Sequence, residues 1–205
     1  MNAIIRSAAG VTLAPVDTIL LERRVLYLDE TISIESVNRI IKKMIYLDSQ
    51  SDKPITLVLA SPGGSIEAGL ALIDTMQACS SPVYTITLGL AASMAAIIAA
   101  AGEKGHRFIS PYSRLMIHEP LLAGGVSGSC STIQATAQSI LERKKIIDSL
   151  LAEFTGKSIK VIEKATSYDN FLSADECVDF GLIDRVISGN ELMEYLKGVD
   201  PNDLG

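Results

Sequence analysis

The chain has 205 residues, a formal net charge of −6 and an apolar fraction of 48%. That length suits one domain with a sizeable core, and the apolar fraction excludes an intrinsically disordered chain. The negative charge argues against a nucleic-acid-binding protein, because no net positive field is available to attract phosphates. Aromatic residues make up only 5%, so the apolar content is mainly aliphatic, and its excess favours further burial in an assembly.

The cysteines and the apolar segments bear on the cellular compartment. Cys79, Cys130 and Cys177 form neither a CxxC pair nor a Cys/His cluster, so no disulfide framework and no metal site is predicted. A cytoplasmic location is expected, and the N-terminus lacks the apolar core of a signal peptide. The stretch between Asp74 and Glu103 carries no charge, but a proline and a glycine interrupt it, which disfavours a membrane-spanning helix.

Strand and helix patterns alternate along the chain after a first segment, residues 1–18, that has little periodicity. In chain order they first predict a strand at Val25–Leu28, a helix from Ile34 with Ser33 as its N-cap, a strand at 55–59 and a helix at 66–78. A strand at 83–87, a helix at 94–101 and strands at 107–109 and 114–117 follow. The last predicted elements are a long helix to about residue 154, a capped helix after Ser173, a strand at 182–187 and a short helix. This alternation predicts an α/β fold with a largely parallel sheet.

Two strand-to-helix turns are candidate sites, because ligands in such folds bind where strands end and helices begin. The first contains Gly63 and Gly64, which allow the backbone to present free N–H groups to an oxyanion. The second places Ser93 at a helix N-terminus among small residues, where the helix dipole favours negative charge. Each pattern alone is more typical of an ordinary tight turn or of a serine packed in an alanine-rich helix.

A serine nucleophile needs a base, and the chain has two histidines. His106 lies in a charged turn, where solvation is expected. His118 follows an apolar run and therefore sits at a strand end, either as a structural imidazole or as a general base. Spacing does not choose among the carboxylates that could orient it, which are Glu119, Asp169, Asp175 and Asp184.

Four linked motifs occur in a fixed order over about residues 20–188. They are Ser61–Ser65, Gly89–Ala96, Arg107–Pro120, and Asp169–Ala174 followed by Gly181–Asp184. Together they resemble the proteolytic subunits of Clp protease, the ClpP family. The resemblance implies a crotonase-like α/β fold with mostly parallel sheets, surrounding helices and a protruding handle helix.

The resemblance also implies how the chain is divided. The peptidase domain would span residues 19–190, with the handle at about 124–156. An axial segment, expected to be mobile, would precede it at 1–18, and a C-terminal tail would follow at 191–205.

The activity implied by this resemblance is that of a serine endopeptidase. Ser93 would be the nucleophile, His118 the general base and Asp169 the carboxylate that orients the imidazole. Backbone N–H groups of Gly64 and Met94 would form the oxyanion hole. An acyl-enzyme would form on the serine and would then be hydrolysed.

The resemblance further implies two stacked seven-membered rings that enclose a chamber for unfolded protein substrates. Gly124, Gly125, Val126 and Ser127 would line the groove in which an extended peptide pairs with the backbone. An AAA+ unfoldase would feed the chamber and use the ATP, because the chain has no phosphate-binding loop of its own. No cofactor, metal, nucleic acid or membrane is implied for this subunit.

Some positions depart from the family pattern. Ser167 and Tyr168 stand where the family usually has an acidic residue and an arginine that pair across the ring–ring interface. Ala60 and Ala165 likewise replace a common Asn and Asp. One alternative is therefore a structural or regulatory paralogue, active only in mixed rings with a second subunit type. Another is a crotonase-type acyl-CoA enzyme, which shares the implied fold and oxyanion hole.

Overall fold

The structure, a computed structural model, describes residues 2–7, 10–122 and 126–199. Its strands are β1 (Asn2–Ser7), β2 (Gly10–Pro15), β3 (Val25–Leu28), β4 (Ile55–Leu59), β5 (Val83–Thr87), β6 (Leu90–Ala92), β7 (Arg107–Ile109), β8 (Arg114–Ile117), β9 (Asn170–Ser173) and β10 (Arg185–Val186). Its helices are α1 (Val16–Glu22), α2 (Ile34–Asp48), α3 (Ile66–Ala78), α4 (Met94–Ala100), α5 (Cys130–Thr155), α6 (Ile159–Thr166), α7 (Ala174–Phe180) and α8 (Gly189–Leu196).

Two sheets position the candidate site. The larger has the order β10-β7-β5-β4-β3 with every pair parallel. All residues of β4 and β5 are buried, as expected for strands covered on both faces. The smaller has the order β6-β8-β9, in which β6 and β8 are parallel and β8 and β9 antiparallel. The predicted α/β class with mostly parallel sheets is confirmed.

The uncharged stretch between Asp74 and Glu103 contains α4, which lies in the core. Every residue of α4 is buried, and its alanines allow close packing against neighbouring helices. A Cβ added at Gly69 on α3 would lie 2.2 Å from the Met94 side chain, so these two helices are in direct contact. Among the described residues no helix combines the length and hydropathy needed to span a bilayer.

The long helix α5 protrudes over much of its length. Only Ile147, Asp148 and Leu151 of its residues are buried, all in its C-terminal half. The helix ends at Gly156, whose φ of 72° gives the left-handed cap typical of glycine. The predicted handle is therefore present as a helix from Cys130, whereas residues 124 and 125 lie outside the described ranges.

Both chain ends contain secondary structure. Residues 1–18, expected to be a mobile segment, contain an antiparallel hairpin of β1 and β2 followed by α1. The final strand covers only Arg185–Val186, which pair with Phe108 and Ile109 of β7. The proposed boundary at residue 190 falls inside α8, whose Tyr195 is buried against Phe108. The predicted C-terminal tail therefore begins as a packed helix.

Candidate active site

Ser93 occupies a sharp turn between β6 and α4. Its backbone has φ 55° and ψ −126°, a conformation that non-glycine residues rarely adopt. A hydrogen bond from its N–H to the Met116 carbonyl, at 2.7 Å, fixes this turn to β8. Such strain is kept only where the surrounding structure enforces it, and it is frequent at functional sites.

The ladder between β8 and β9 brings the base and the carboxylate together. Its last pair is Ile117 with Asn170, so His118 and Asp169 are the next positions facing each other. His118 Nδ1 lies 3.0 Å from Asp169 Oδ1, and His118 Nε2 lies 2.8 Å from Ser93 Oγ. Because an ionised carboxylate only accepts hydrogen bonds, Nδ1 carries the proton and Nε2 accepts from the serine hydroxyl.

Solvent exposure differs strongly between His118 and Asp169. The His118 side chain is only 14% exposed, whereas that of Asp169 is 66% exposed. Water therefore competes for the carboxylate in the isolated chain, but scarcely reaches the imidazole.

The glycine turn lies directly against the serine. A Cβ added at Gly63 would lie 2.8 Å from Ser93 Cβ and 3.2 Å from the Met94 nitrogen. Ile32 donates to the Gly63 carbonyl and accepts from Ser65 N–H, so the N–H of Gly64 between them faces away from Ile32. Met94 is the first residue of α4, where no helical carbonyl is available to its N–H. These two donors are therefore suited to an oxyanion beside Ser93.

A cleft of about 1120 Å³ opens in front of this arrangement. Its walls come from α3, α4, the segment after His118, and one face of α5. The α5 residues recur at helical spacing, a signal that the sequence analysis missed; they include Thr132, Thr136, Ser139, Ile140, Arg143 and Ile147. The cleft is large enough for substrate side chains and is mainly apolar.

The predicted groove residues are only partly placed. Gly124 and Gly125 lie outside the described residues. Val126 and Ser127 are exposed ahead of α5, and the residues that line the cleft on this side are Leu121 and Leu122.

The other candidate carboxylates have different surroundings. Asp184 pairs with Arg107 at 2.6 Å, and Glu119 lies 3.4 Å from Lys144. Asp175 is exposed in the first turn of α7. Only Asp169 of the four contacts His118 in the described structure.

His106 is not solvated as the sequence suggests. Its ring is half-buried and stacks on Tyr84, with 4.0 Å between the ring centroids. The stacking partner Tyr84 lies on β5, distant in sequence, so the local pattern around His106 does not reveal it. His106 makes no contact with Ser93 in the described structure, so His118 is the histidine available as base.

The described residues also bear on metal binding and on the reactivity of Cys177. The described residues contain no cluster of His, Cys, Asp and Glu able to bind a metal ion. Burial raises the pKa of the Cys177 thiol to about 12, which keeps it protonated at neutral pH.

Comparisons with known proteins identify one family. The family described as Clp protease matches residues 10–190. The chain is 43% identical to the ATP-dependent Clp protease proteolytic subunit of Ligilactobacillus salivarius (strain UCC118), over 84% of this chain and 87% of the relative. It is 49% identical to the ATP-dependent Clp protease proteolytic subunit 3 of Parasynechococcus marenigrum (strain WH8102), over 80% of this chain and 82% of the relative. The subunit 3 of Synechococcus sp. (strain CC9605) is 48% identical over the same shares.

Proposed function

The chain belongs to the Clp protease family, and on that premise we propose that it is the proteolytic subunit of an ATP-dependent Clp protease, acting as a serine endopeptidase. The observation that carries the serine mechanism is the line of contacts from Ser93 Oγ to His118 Nε2 and from His118 Nδ1 to Asp169. This is the arrangement of nucleophile, base and orienting carboxylate found on several unrelated folds.

The mechanism follows from the positions of these atoms. Ser93 Oγ attacks the substrate carbonyl while His118 Nε2 accepts the hydroxyl proton. Asp169 fixes the tautomer of the imidazole and stabilises its charged form. The N–H groups of Gly64 and Met94 receive the developing oxyanion. His118 then protonates the leaving amine, and a water molecule activated by the same imidazole releases the acyl group from the serine.

The working form is proposed to be an assembly. Rings of this chain, or mixed rings with a second Clp subunit type, would enclose the cleft in a cytoplasmic chamber. An AAA+ unfoldase would deliver unfolded proteins and hydrolyse the ATP, so this subunit would need no cofactor. Ser167 and Tyr168, the latter 60% exposed, favour the mixed assembly, because neither supplies the ion pair that usually joins two rings.

An acyl-CoA enzyme of the same fold is the less supported alternative. Such an enzyme would use a carboxylate as its acid or base and would have no need of a serine bonded to an imidazole. Acyl-CoA turnover that survives Ser93→Ala would favour it.

The experiment combines a fluorophosphonate probe with model-peptide hydrolysis, on the chain alone and mixed with a second Clp subunit. In the active particle, the probe should label Ser93, and Ser93→Ala should lower the contribution of this subunit to kcat by roughly 10⁴-fold or more. The exposed Ser80, changed to alanine, is the matched control and should leave both readouts unchanged. Unaltered hydrolysis in Ser93→Ala, or no labelling of Ser93 in an active particle, would overturn the serine mechanism.

A further inference from the structure

The segment that carries His118 is fixed at two points. The β8–β9 ladder ends on one side of it at the pair Ile117 and Asn170. On the other side, Glu119 N–H donates to the Thr166 carbonyl at 2.7 Å. Thr166 is fully buried and lies three residues before Asp169. The backbone position of Glu119 therefore affects both the base and the carboxylate that orients it.

The side chain of Glu119 reaches the handle helix. Lys144 Nζ on α5 lies 3.4 Å from Glu119 Oε2 and 3.0 Å from Asp148 Oδ2. Lys144 thus joins two carboxylates, one next to the catalytic base and the other one turn along its own helix.

Asp148 anchors this lysine. Its side chain is only 4% exposed, and its Oδ1 atom makes no hydrogen bond within the described residues. Burying a carboxylate that makes few hydrogen bonds is costly unless a cation pairs with it, so Asp148 depends on Lys144. Burial of Lys144 acts against its charged form, but the hydrogen bonds and charges of Asp148 and Glu119 outweigh this and raise its pKa. The ammonium group is therefore charged and fixed at the junction of α5 with the His118 segment.

We propose that Lys144 is a positioning residue, which couples the placement of the handle helix to the orientation of His118 through the carboxylate of Glu119. The inference rests on the proposed serine-peptidase function. Movement of α5 relative to the core would shift the Glu119 carboxylate, and with it the backbone that carries the imidazole. A small misplacement of a catalytic group is enough to slow the chemical step greatly.

The test measures peptide hydrolysis by Lys144→Met, Glu119→Gln and the double variant. Each kcat is expressed per site labelled by the fluorophosphonate probe, which removes any contribution from unfolded protein. Each single change should lower kcat about tenfold with KM nearly unchanged, because the cleft stays intact while the base loses its alignment. If the lysine acts through Glu119, the double variant should be no slower than Lys144→Met.

Two further variants exclude a merely structural role. Lys144→Arg keeps a cation at this position and should restore most of the lost kcat. Lys145→Met removes an exposed neighbouring lysine of α5 and should behave like the wild type in kcat and particle mass.

Glu119→Gln also serves as a control for misfolding, because it leaves the buried Lys144–Asp148 pair in place. A wild-type kcat in Glu119→Gln, or fully additive losses in the double variant, would overturn the proposal. Failure of the serine mechanism itself would show separately, as hydrolysis that is unaffected by Ser93→Ala.

Discussion

At the scale of single residues, the site depends on a turn that tolerates no side chain. Gly63 has φ 91°, and a Cβ there would lie 2.5 Å from the Ala92 carbonyl oxygen, just before Ser93. The backbone at Ser93 is itself in an uncommon conformation, with φ 55°. The strained turn at Ser93 therefore packs against a backbone segment that only glycine can form, and each limits where the other can move.

Gly63→Ala should consequently impair catalysis more than it impairs folding. We expect a loss of roughly 1–3 kcal/mol in the free energy of unfolding from backbone strain. We also expect kcat to fall at least tenfold, because the clash displaces Ser93. Peptide hydrolysis and urea unfolding measure the two effects.

Gly105→Ala is the matched control, since Gly105 also has φ 91° but has nothing within 4 Å of the added Cβ. It should lose comparable stability with unchanged kcat. Equal kcat values in the two variants would contradict the displacement of Ser93.

The sequence identifies the reacting residue types but cannot select the carboxylate by spacing alone. Glu119 is adjacent to His118, yet its side chain turns to Lys144. Asp169 is 51 positions away and contacts the imidazole. That choice is made by the pairing register of β8 and β9, a long-range feature that local patterns do not contain; the Clp family resemblance supplied it instead.

At the scale of elements, Arg107 joins four parts of the fold. Its guanidinium donates to both carboxylate oxygens of Asp184, to the Ala100 carbonyl at the end of α4, and to the Phe154 carbonyl on α5. The arginine side chain is 5% exposed and the aspartate 17%. The C-terminal ends of α4 and α5, two helices that contribute other residues to the cleft, are thus fixed to β7 through one cation.

Asp184→Asn should lower the free energy of unfolding by about 3 kcal/mol at pH 7, because the change leaves a buried guanidinium without its counter-charge. Burial alone would raise the pKa of Asp184, but the hydrogen bonds and charge of Arg107 lower it overall. A lowered pKa gives stability that is present above the unfolded-state value and is lost as the pH falls through the folded-state value.

The stability difference between wild type and Asp184→Asn should therefore be largest near neutral pH and shrink below about pH 4. Urea unfolding across this range measures it. Asp179→Asn, at an exposed position of α7, serves as control and should show little difference from wild type. A difference that stays constant with pH would contradict the ion-pair explanation.

Elements with a clear local pattern could be predicted from sequence, including the short strands β7 and β8, whereas other short strands could not. The apolar spacing of α2 and the nearly continuous apolar run of β4 are local signals. Strands such as β6 and β9 have only three and four residues, and they exist because β8 lies between them. The short helix α8 could be predicted from its local pattern, but its packing through Tyr195 on aromatic residues far away in the sequence could not.

At the scale of the whole molecule, the apolar excess is visible on the surface. On α5 the exposed large apolar residues are Ile133, Leu141 and Ile146, and on α2 they are Ile34, Ile45 and Tyr46. Their burial in an assembly remains a prediction, but exposed apolar side chains of this number on two helices are typical of interaction surfaces. The negative net charge opposes non-specific association of chains with such surfaces.

Ser167 and Tyr168 should limit how readily two rings join. Replacing both in one variant, Ser167→Asp with Tyr168→Arg, supplies the acidic and basic residues usual in the family. We expect this variant alone to form a larger share of double rings and to hydrolyse model peptides faster, because complementary charges would meet across the interface. The mass of the particle in solution and peptide hydrolysis measure the two effects.

The control carries Asp at both positions, so that like charges face each other, and it should form fewer double rings than the wild type. Identical mass distributions for all three proteins would contradict an electrostatic contribution at these positions.

The register of β8 and β9 makes correct folding a condition for correct site geometry. Leu115 pairs with Leu172 in this ladder, and both are buried. A slip by one residue would turn these side chains out of the core and leave His118 facing a residue other than Asp169. The folding error and the loss of catalysis are then one event. A protomer that misfolds in this way would therefore also lack the contacts between Ser93, His118 and Asp169.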